Sequence, residues 1–367
     1  MSNKRKSNIE LLRIVAMGLI VLSHYATHSP ARSFADDFVD NVILDCLSLG
    51  VLGVDLFVMI TGYFVSETGF KSSSFFRTLA KTYAYDILLA VIAFFFLGVS
   101  PLSCVRTLVP GSIGTQQWFV APFLLMYLFA PVLNYLLHGL SRDSLKRLLI
   151  LSAVCFSVLP GLFKIDFMMS RFLWFCFLYT VAAYYRMYGF GVVRVHAGSI
   201  LVGSITAALG LTVVARLVGD FVPFVGSHTT FFLTAYSPML LIGSVALFEL
   251  FSRLEIRSGL VNLIASATFG VYLIHDNELI RDVVWSPVAA LQGFGVLGGL
   301  AYASLVYLTC TILDLALSSV ARCVLRQMGF VVRMREAVYP RLQAFTALEC
   351  ASFDAVARSA DGRRERV

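Results

Sequence analysis

The stretch ELLRIVAMGLIVLSHY, residues 10–25, reads as a nearly continuous apolar helix, most of a membrane crossing in length. Two ionisable groups interrupt it, Arg13 near its start and His24 near its end. Such groups are costly in hydrocarbon and turn toward a protein interior or a wet cavity. Eleven residues at ~100° each turn the helix by about 1100°, within about 20° of three full turns. Arg13 and His24 therefore share one face, separated along the axis by ~16 Å at about 1.5 Å per residue. Glu10 lies one turn before Arg13 on the same side, close enough to pair with it. A stripe of Glu10, Arg13 and His24 fits a lined cavity better than two unrelated interfacial anchors.

The rest of the chain has the same character. Its 367 residues are 58% hydrophobic and 14% charged, with mean hydropathy +0.81. A soluble domain carries about 25% charged residues, and a core large enough to hide this deficit would still need a polar shell. The chain reads as an all-α, polytopic membrane protein. Ten apolar runs are legible, at about 9–26, 42–65, 83–99, 117–137, 147–163, 171–187, 197–217, 229–250, 259–280 and 293–318. The first resembles a signal peptide, but Glu10 and Arg13 break its apolar region and no small-residue cleavage site follows, so it reads as an uncleaved span.

Loop charges set the expected orientation. With a cytoplasmic N-terminus, the inner segments hold Lys4, Arg5, Lys6, Lys71, Arg77, Lys81, Arg142, Lys146, Arg147, Arg186, Arg194, Arg253 and Arg257. The outer loops hold only Arg32, Arg106, Lys164, Arg171, Arg216 and Arg281. This asymmetry places both termini in the cytoplasm and assigns the net charge of +7 to topology rather than to nucleic-acid binding. The chain divides into a transmembrane domain, 1–318, and a basic cytoplasmic tail, 319–367, partly disordered. The halves show no repeat, which counts weakly against a transporter built from inverted repeats.

Other polar residues sit in or beside the apolar runs. Asp55, in LGVDLFVMITGY (52–63), reads as the structural partner of a buried arginine ahead of a functional role in holding Arg13 or Arg77 or in proton traffic, while Gly53 and Gly62 permit close helix approach. Arg77 and Lys81 lie one turn apart at the inner side and read either as a topology signal or as a patch for a phosphorylated cytosolic ligand. Trp118, in QQWFVAP (116–122), falls at the outer boundary; the aromatic belt explains it but not Gln116 and Gln117. His275, in FGVYLIHDNELIRD (269–282), is expected at the depth of His24, with Asp276, Asn277 and Glu278 following at the exit. Asp276 and Asn277 read as a polar helix end meeting water. The cysteines, at 46, 104, 155, 176, 310, 323 and 350, form no CxxC pair and read as small apolar residues. GFGVLG (293–298) follows no strand, so it fails as a dinucleotide loop. HGLSRD (138–143) lacks the soluble domain in which an H-x-x-x-x-D acyltransferase motif works. Metal-ligand spacings such as HExxH are missing, and no metal is expected.

The stretches NIELLRIVAMGLIVLSHY (8–25), GVDLFVMITGYFV (53–65), FFRTLAKTY (75–83), QQWFVAPFLLMYLFAPVLN (116–134) and FGVYLIHDN (269–277) together resemble the acyltransferase-3 family of integral-membrane acyltransferases. They occur in that family's order, and Arg13 and His24 match its R-x10-H motif. The chain departs from the pattern at Thr61, where serine is common, and in having Arg77 and Lys81 where many members have a denser arginine cluster. The resemblance implies transfer of an acyl group, usually acetyl, from cytosolic acyl-CoA to a hydroxyl of a cell-surface glycan or related acceptor. Acyl-CoA is then a co-substrate, and no bound cofactor is expected. On this reading Arg13, Arg77 and Lys81 meet the CoA phosphates, and His24 acts as general base or as acyl carrier. Trp118, His275 and Glu278 border the acceptor, Glu10 and Asp55 are structural, and the protein sits in the plasma or inner membrane. The residues alone leave a second class open, a proton-coupled transporter or an exporter of a lipid-linked sugar.

Overall fold

The structure is a computed structural model that describes residues 6–35, 37–108, 118–165 and 170–327. Gln116, Gln117 and the tail beyond residue 327 lie outside the described residues. Helices are the only regular secondary structure among those described. The longer ones are α1 (Ser7–His28), α2 (Phe38–Cys46), α3 (Gly50–Thr68), α4 (Ser72–Leu97), α5 (Pro101–Leu108) and α6 (Val120–Gly139). After these come α7 (Arg142–Phe163), α8 (Arg171–Tyr188), α9 (Gly191–Gly219), α10 (Pro238–Ser252), α11 (Gly259–His275) and α12 (Gly295–Gln327). The local sequence places many of the ends. Asp37, Ser141, Ser170, Ser237 and Ser258 each accept a backbone N–H at a helix start. Gly98, in left-handed geometry at φ +66°, closes α4.

Eight segments among the described residues are long and apolar enough to cross a membrane. Two of the ten expected runs form helices outside those eight. Helix α8 carries Arg171 and Arg186 at its ends and Tyr179, Tyr184, Tyr185 and Tyr188 along its length. Helix α11 has 17 residues and stops at His275, where Asp276 leaves helical geometry. The boundary expected at residue 318 falls inside α12, which continues to Gln327. Large apolar side chains such as Phe95, Phe96, Val192 and Leu297 are more than two-thirds exposed, which suits a surface against lipid tails.

Helix α1 runs through the core, with Leu12, Ala16, Met17, Val21 and Tyr25 almost fully buried. At its start, Asn8 Nδ2 donates to the carbonyls of Phe251 and Ser252 at the end of α10, both at 3.1 Å. At its middle, the Tyr307 hydroxyl of α12 donates to the Ile14 carbonyl at 3.1 Å. Helix α3 approaches most closely at Gly53, which lies against the Ala16 carbonyl where no side chain would fit. Gly62, further along α3, lies against the backbone of Tyr179 on α8. The segment joining α1 to α3 is fastened by Asp45, fully buried, which takes Arg32 on one oxygen and Arg216 of α9 on the other, both at 2.8 Å.

Candidate active site

Arg13, Met17, Ile20 and His24 follow one another at helical spacings of four, three and four, so they form a single stripe on α1. Met17, Ile20 and His24, with the neighbouring Ser23, line a cavity of about 100 Å³. Its other walls are Gly50, Val51, Val54 and Phe57 of α3, Trp118 and Phe119 before α6, and Phe269 and Tyr272 of α11. The cavity is therefore mainly apolar and extends from His24 along α1 toward the Arg13 end. Arg13 sits at 31% side-chain exposure with its guanidinium 3.4 Å from Glu10.

His24 and His275, expected at one depth, lie 2.9 Å apart from Nδ1 of the first to Nε2 of the second. The other ring nitrogen of His275, Nδ1, is 2.6 Å from the Val271 carbonyl. A carbonyl only accepts, so His275 carries its proton on Nδ1 and presents a lone pair at Nε2. Neutral His24 must then donate from Nδ1, which leaves its Nε2 with a free lone pair. The protonation state of the cavity-lining imidazole is thus set from behind, by a second histidine held on a backbone carbonyl.

Two residues read as a solvated helix end are instead interior. Asp276 is 2% exposed and Asn277 fully buried. The chain turns inward after His275 because Asn277 Nδ2 reaches Asp86 of α4 at 3.4 Å and its Oδ1 accepts from Leu279 N–H. Asp276 Oδ1 lies 3.6 Å from His24 Nδ1, 3.6 Å from His28 Nε2 and 3.7 Å from the Arg281 guanidinium. The sequence analysis gives His28 no role and Arg281 only that of an outer-loop charge. The available signal was the spacing of four between His24 and His28, which puts them on the same side of α1.

The remaining expected residues are dispersed. Trp118 is on the cavity wall, with the Arg171 guanidinium over its ring at 4.6 Å. Glu278 is exposed beyond the site, and Arg77 is exposed near the start of α4. Lys81 is engaged elsewhere: its ammonium lies 2.7 Å from the buried carboxylate of Asp314 on α12, which also accepts from the Tyr85 hydroxyl at 2.6 Å. Asp55 pairs with neither Arg13 nor Arg77. It is buried and accepts from Trp174 Nε1 at 3.0 Å, an indole supplied by α8 where an arginine was expected.

Comparison with known proteins gives one match. A family model described as an acyltransferase domain, that of the acyltransferase-3 family, matches residues 6–316. No curated protein and no solved structure matches the chain. The matched region holds every residue of the cavity and of the histidine pair, and spans most of the sequence. The chain belongs to the acyltransferase-3 family and is a membrane acyltransferase.

Proposed function

We propose that the protein moves an acyl group, acetyl in the simplest case, from cytosolic acyl-CoA to a hydroxyl of a cell-surface glycan or related acceptor at the plasma or inner membrane. The observation that carries this reading is the stripe on α1. It places a cation at one end, an imidazole with a free Nε2 lone pair at the other, and an apolar cavity adjoining the imidazole. Arg13, with Arg77 nearer the aqueous face, is suited to CoA phosphates. The rise of ~16 Å between Arg13 and His24 is comparable to an extended pantetheine arm, so a thioester could enter the cavity while its nucleotide stays outside. Lys81, held by Asp314, is assigned to fastening α4 to α12 instead.

In the transfer, His24 Nε2 takes the proton of the acceptor hydroxyl as the oxygen attacks the thioester carbonyl. The new C–O bond forms, the C–S bond breaks, and the proton passes to the departing sulfur, giving an ester and free CoA. The transient imidazolium at His24 faces the Asp276 carboxylate. General base catalysis of this kind contributes about 10²–10⁴-fold.

Purified protein given radiolabelled acetyl-CoA and a glycan acceptor should release free CoA and label the acceptor. His24→Ala, shown to be folded by its melting profile, should lose about 10²–10⁴-fold in turnover. Full turnover by a folded His24→Ala protein would remove His24 from the mechanism, and acceptor flux without CoA release would indicate transport.

A further inference from the structure

The acyl-transfer reading gives no task to His28, yet this residue completes a second constellation around His24. His24 and His28 are one turn apart on α1, with ring centroids separated by 5.0 Å. Asp276, supplied by the end of α11, points Oδ1 between them at 3.6 Å from a nitrogen of each. That oxygen is buried and makes no direct hydrogen bond among the described residues. His24 Nδ1, His28 Nε2 and Asp276 Oδ1 all lie within 4.8 Å of one another. Zinc binds imidazole nitrogen and carboxylate oxygen at ~2.0–2.2 Å in tetrahedral geometry, which sets neighbouring ligand atoms about 3.3 Å apart. The spacing here is long for hydrogen bonds and close to that of ligand atoms around one ion.

Three protein ligands leave the fourth tetrahedral position to water, as in zinc sites that keep an open position. His275 Nε2, 2.9 Å from His24 Nδ1, gives up that contact when the ion takes Nδ1. Two imidazoles and one carboxylate suit zinc and disfavour magnesium and calcium, which prefer all-oxygen sites. His28 and Arg281 have side chains about 30% exposed, so the site reaches the surface of the protein. Arg281, the most distant of the three neighbours of Asp276 Oδ1, can withdraw as the ion enters.

We propose that His24, His28 and Asp276 form a zinc site whose occupation silences acyl transfer. The silencing rests on the proposed role of His24; the binding does not. Zinc on His24 Nδ1 displaces the proton there, and a neutral ring then carries its proton on Nε2. The lone pair that would accept the hydroxyl proton is lost, with no net proton taken up or released. The sequence carries no metal-ligand spacing here because the third donor, Asp276, lies far along the chain from the two histidines.

The test uses zinc ion itself on the purified full-length protein. After equilibrium dialysis against zinc chloride, elemental analysis should find one zinc per chain, with no equivalent retention of magnesium or calcium. His28→Gln and Asp276→Asn, each checked for an unchanged melting profile, should lose that zinc. Zinc should inhibit acyl transfer by wild-type protein. In His28→Gln, whose metal-free turnover should match wild type, the inhibition midpoint should rise by at least roughly ten-fold, as expected when a site loses one contact. No zinc on wild-type protein, or equal zinc on wild type and both variants, would overturn the site. Zinc bound at the site with turnover unaffected would overturn the silencing. A protein that binds zinc in this pattern but transfers no acyl group would overturn the proposed function and leave the site standing.

Discussion

His24 of α1 donates through Nδ1 to Nε2 of His275 on α11, 2.9 Å away, and His275 in turn is held by the Val271 carbonyl. This chain of contacts makes His275 a positioning residue for His24. His275→Ala should lower turnover by about ten-fold or more, the value of a lost buried hydrogen bond of ~1.5 kcal/mol, while the KM for acyl-CoA stays near wild type. His275→Gln, whose side-chain oxygen can accept from His24, should recover part of the loss. Equal loss in both variants, or a change confined to KM, would contradict the relationship.

The cavity walls should select the acyl group. Val54, on the α3 wall of the cavity, is 7% exposed. Val54→Ala should raise the use of butyryl-CoA relative to acetyl-CoA by about ten-fold, because each methylene accommodated is worth about 1–3 kcal/mol. Val54→Phe should depress transfer from every acyl-CoA. Competition assays with acetyl-, propionyl- and butyryl-CoA measure both effects, and an unchanged preference would place the acyl group elsewhere.

Lys81 and Asp314 should behave as a buried fastening pair. Asp314→Ala leaves the Lys81 ammonium and the Tyr85 hydroxyl without their shared acceptor, a loss of about 3–5 kcal/mol for a broken buried pair. The double variant Lys81→Met/Asp314→Leu, apolar at both positions, should recover most of that stability and keep the wild-type KM for acyl-CoA. A KM raised strongly in the double variant would return Lys81 to the CoA site. Melting in detergent and initial rates separate the two.

Trp174 is the only hydrogen-bond donor to Asp55 among the described contacts. Trp174→Phe should therefore destabilise the fold by about 1–3 kcal/mol, the cost of a buried acceptor left unsatisfied. Trp174→Phe combined with Asp55→Leu should be more stable than Trp174→Phe alone. A melting temperature unmoved by Trp174→Phe would show that the carboxyl finds another partner.

Much of this architecture was legible because lipid imposes simple rules. Apolar runs had to become helices, and the angular arithmetic on α1 put Arg13 and His24 on one stripe without reference to any other part of the chain. Partners across helices were not legible in the same way. Asp55 was matched to an arginine on charge, whereas the fold offered the indole of Trp174, which a sequence reading takes for apolar filling. Asp276 and Asn277 look like residues at a wet helix end, and only the return of the chain against Asp86 buries them. Arg77 and Lys81 are near neighbours with one charge, yet one is exposed and the other meets Asp314, 233 positions later.

The bond between His24 and His275 joins residues 251 positions apart. During synthesis α1 is therefore made long before the imidazole that sets its tautomer. A ribosome must add nearly three-quarters of the chain before the proposed active centre can exist in any form. Until then the stripe of Arg13 and His24 sits in a nascent bundle without its counterpart from α11. A chain cut short before residue 275 would carry the whole of α1 and still be unable to assemble the proposed site.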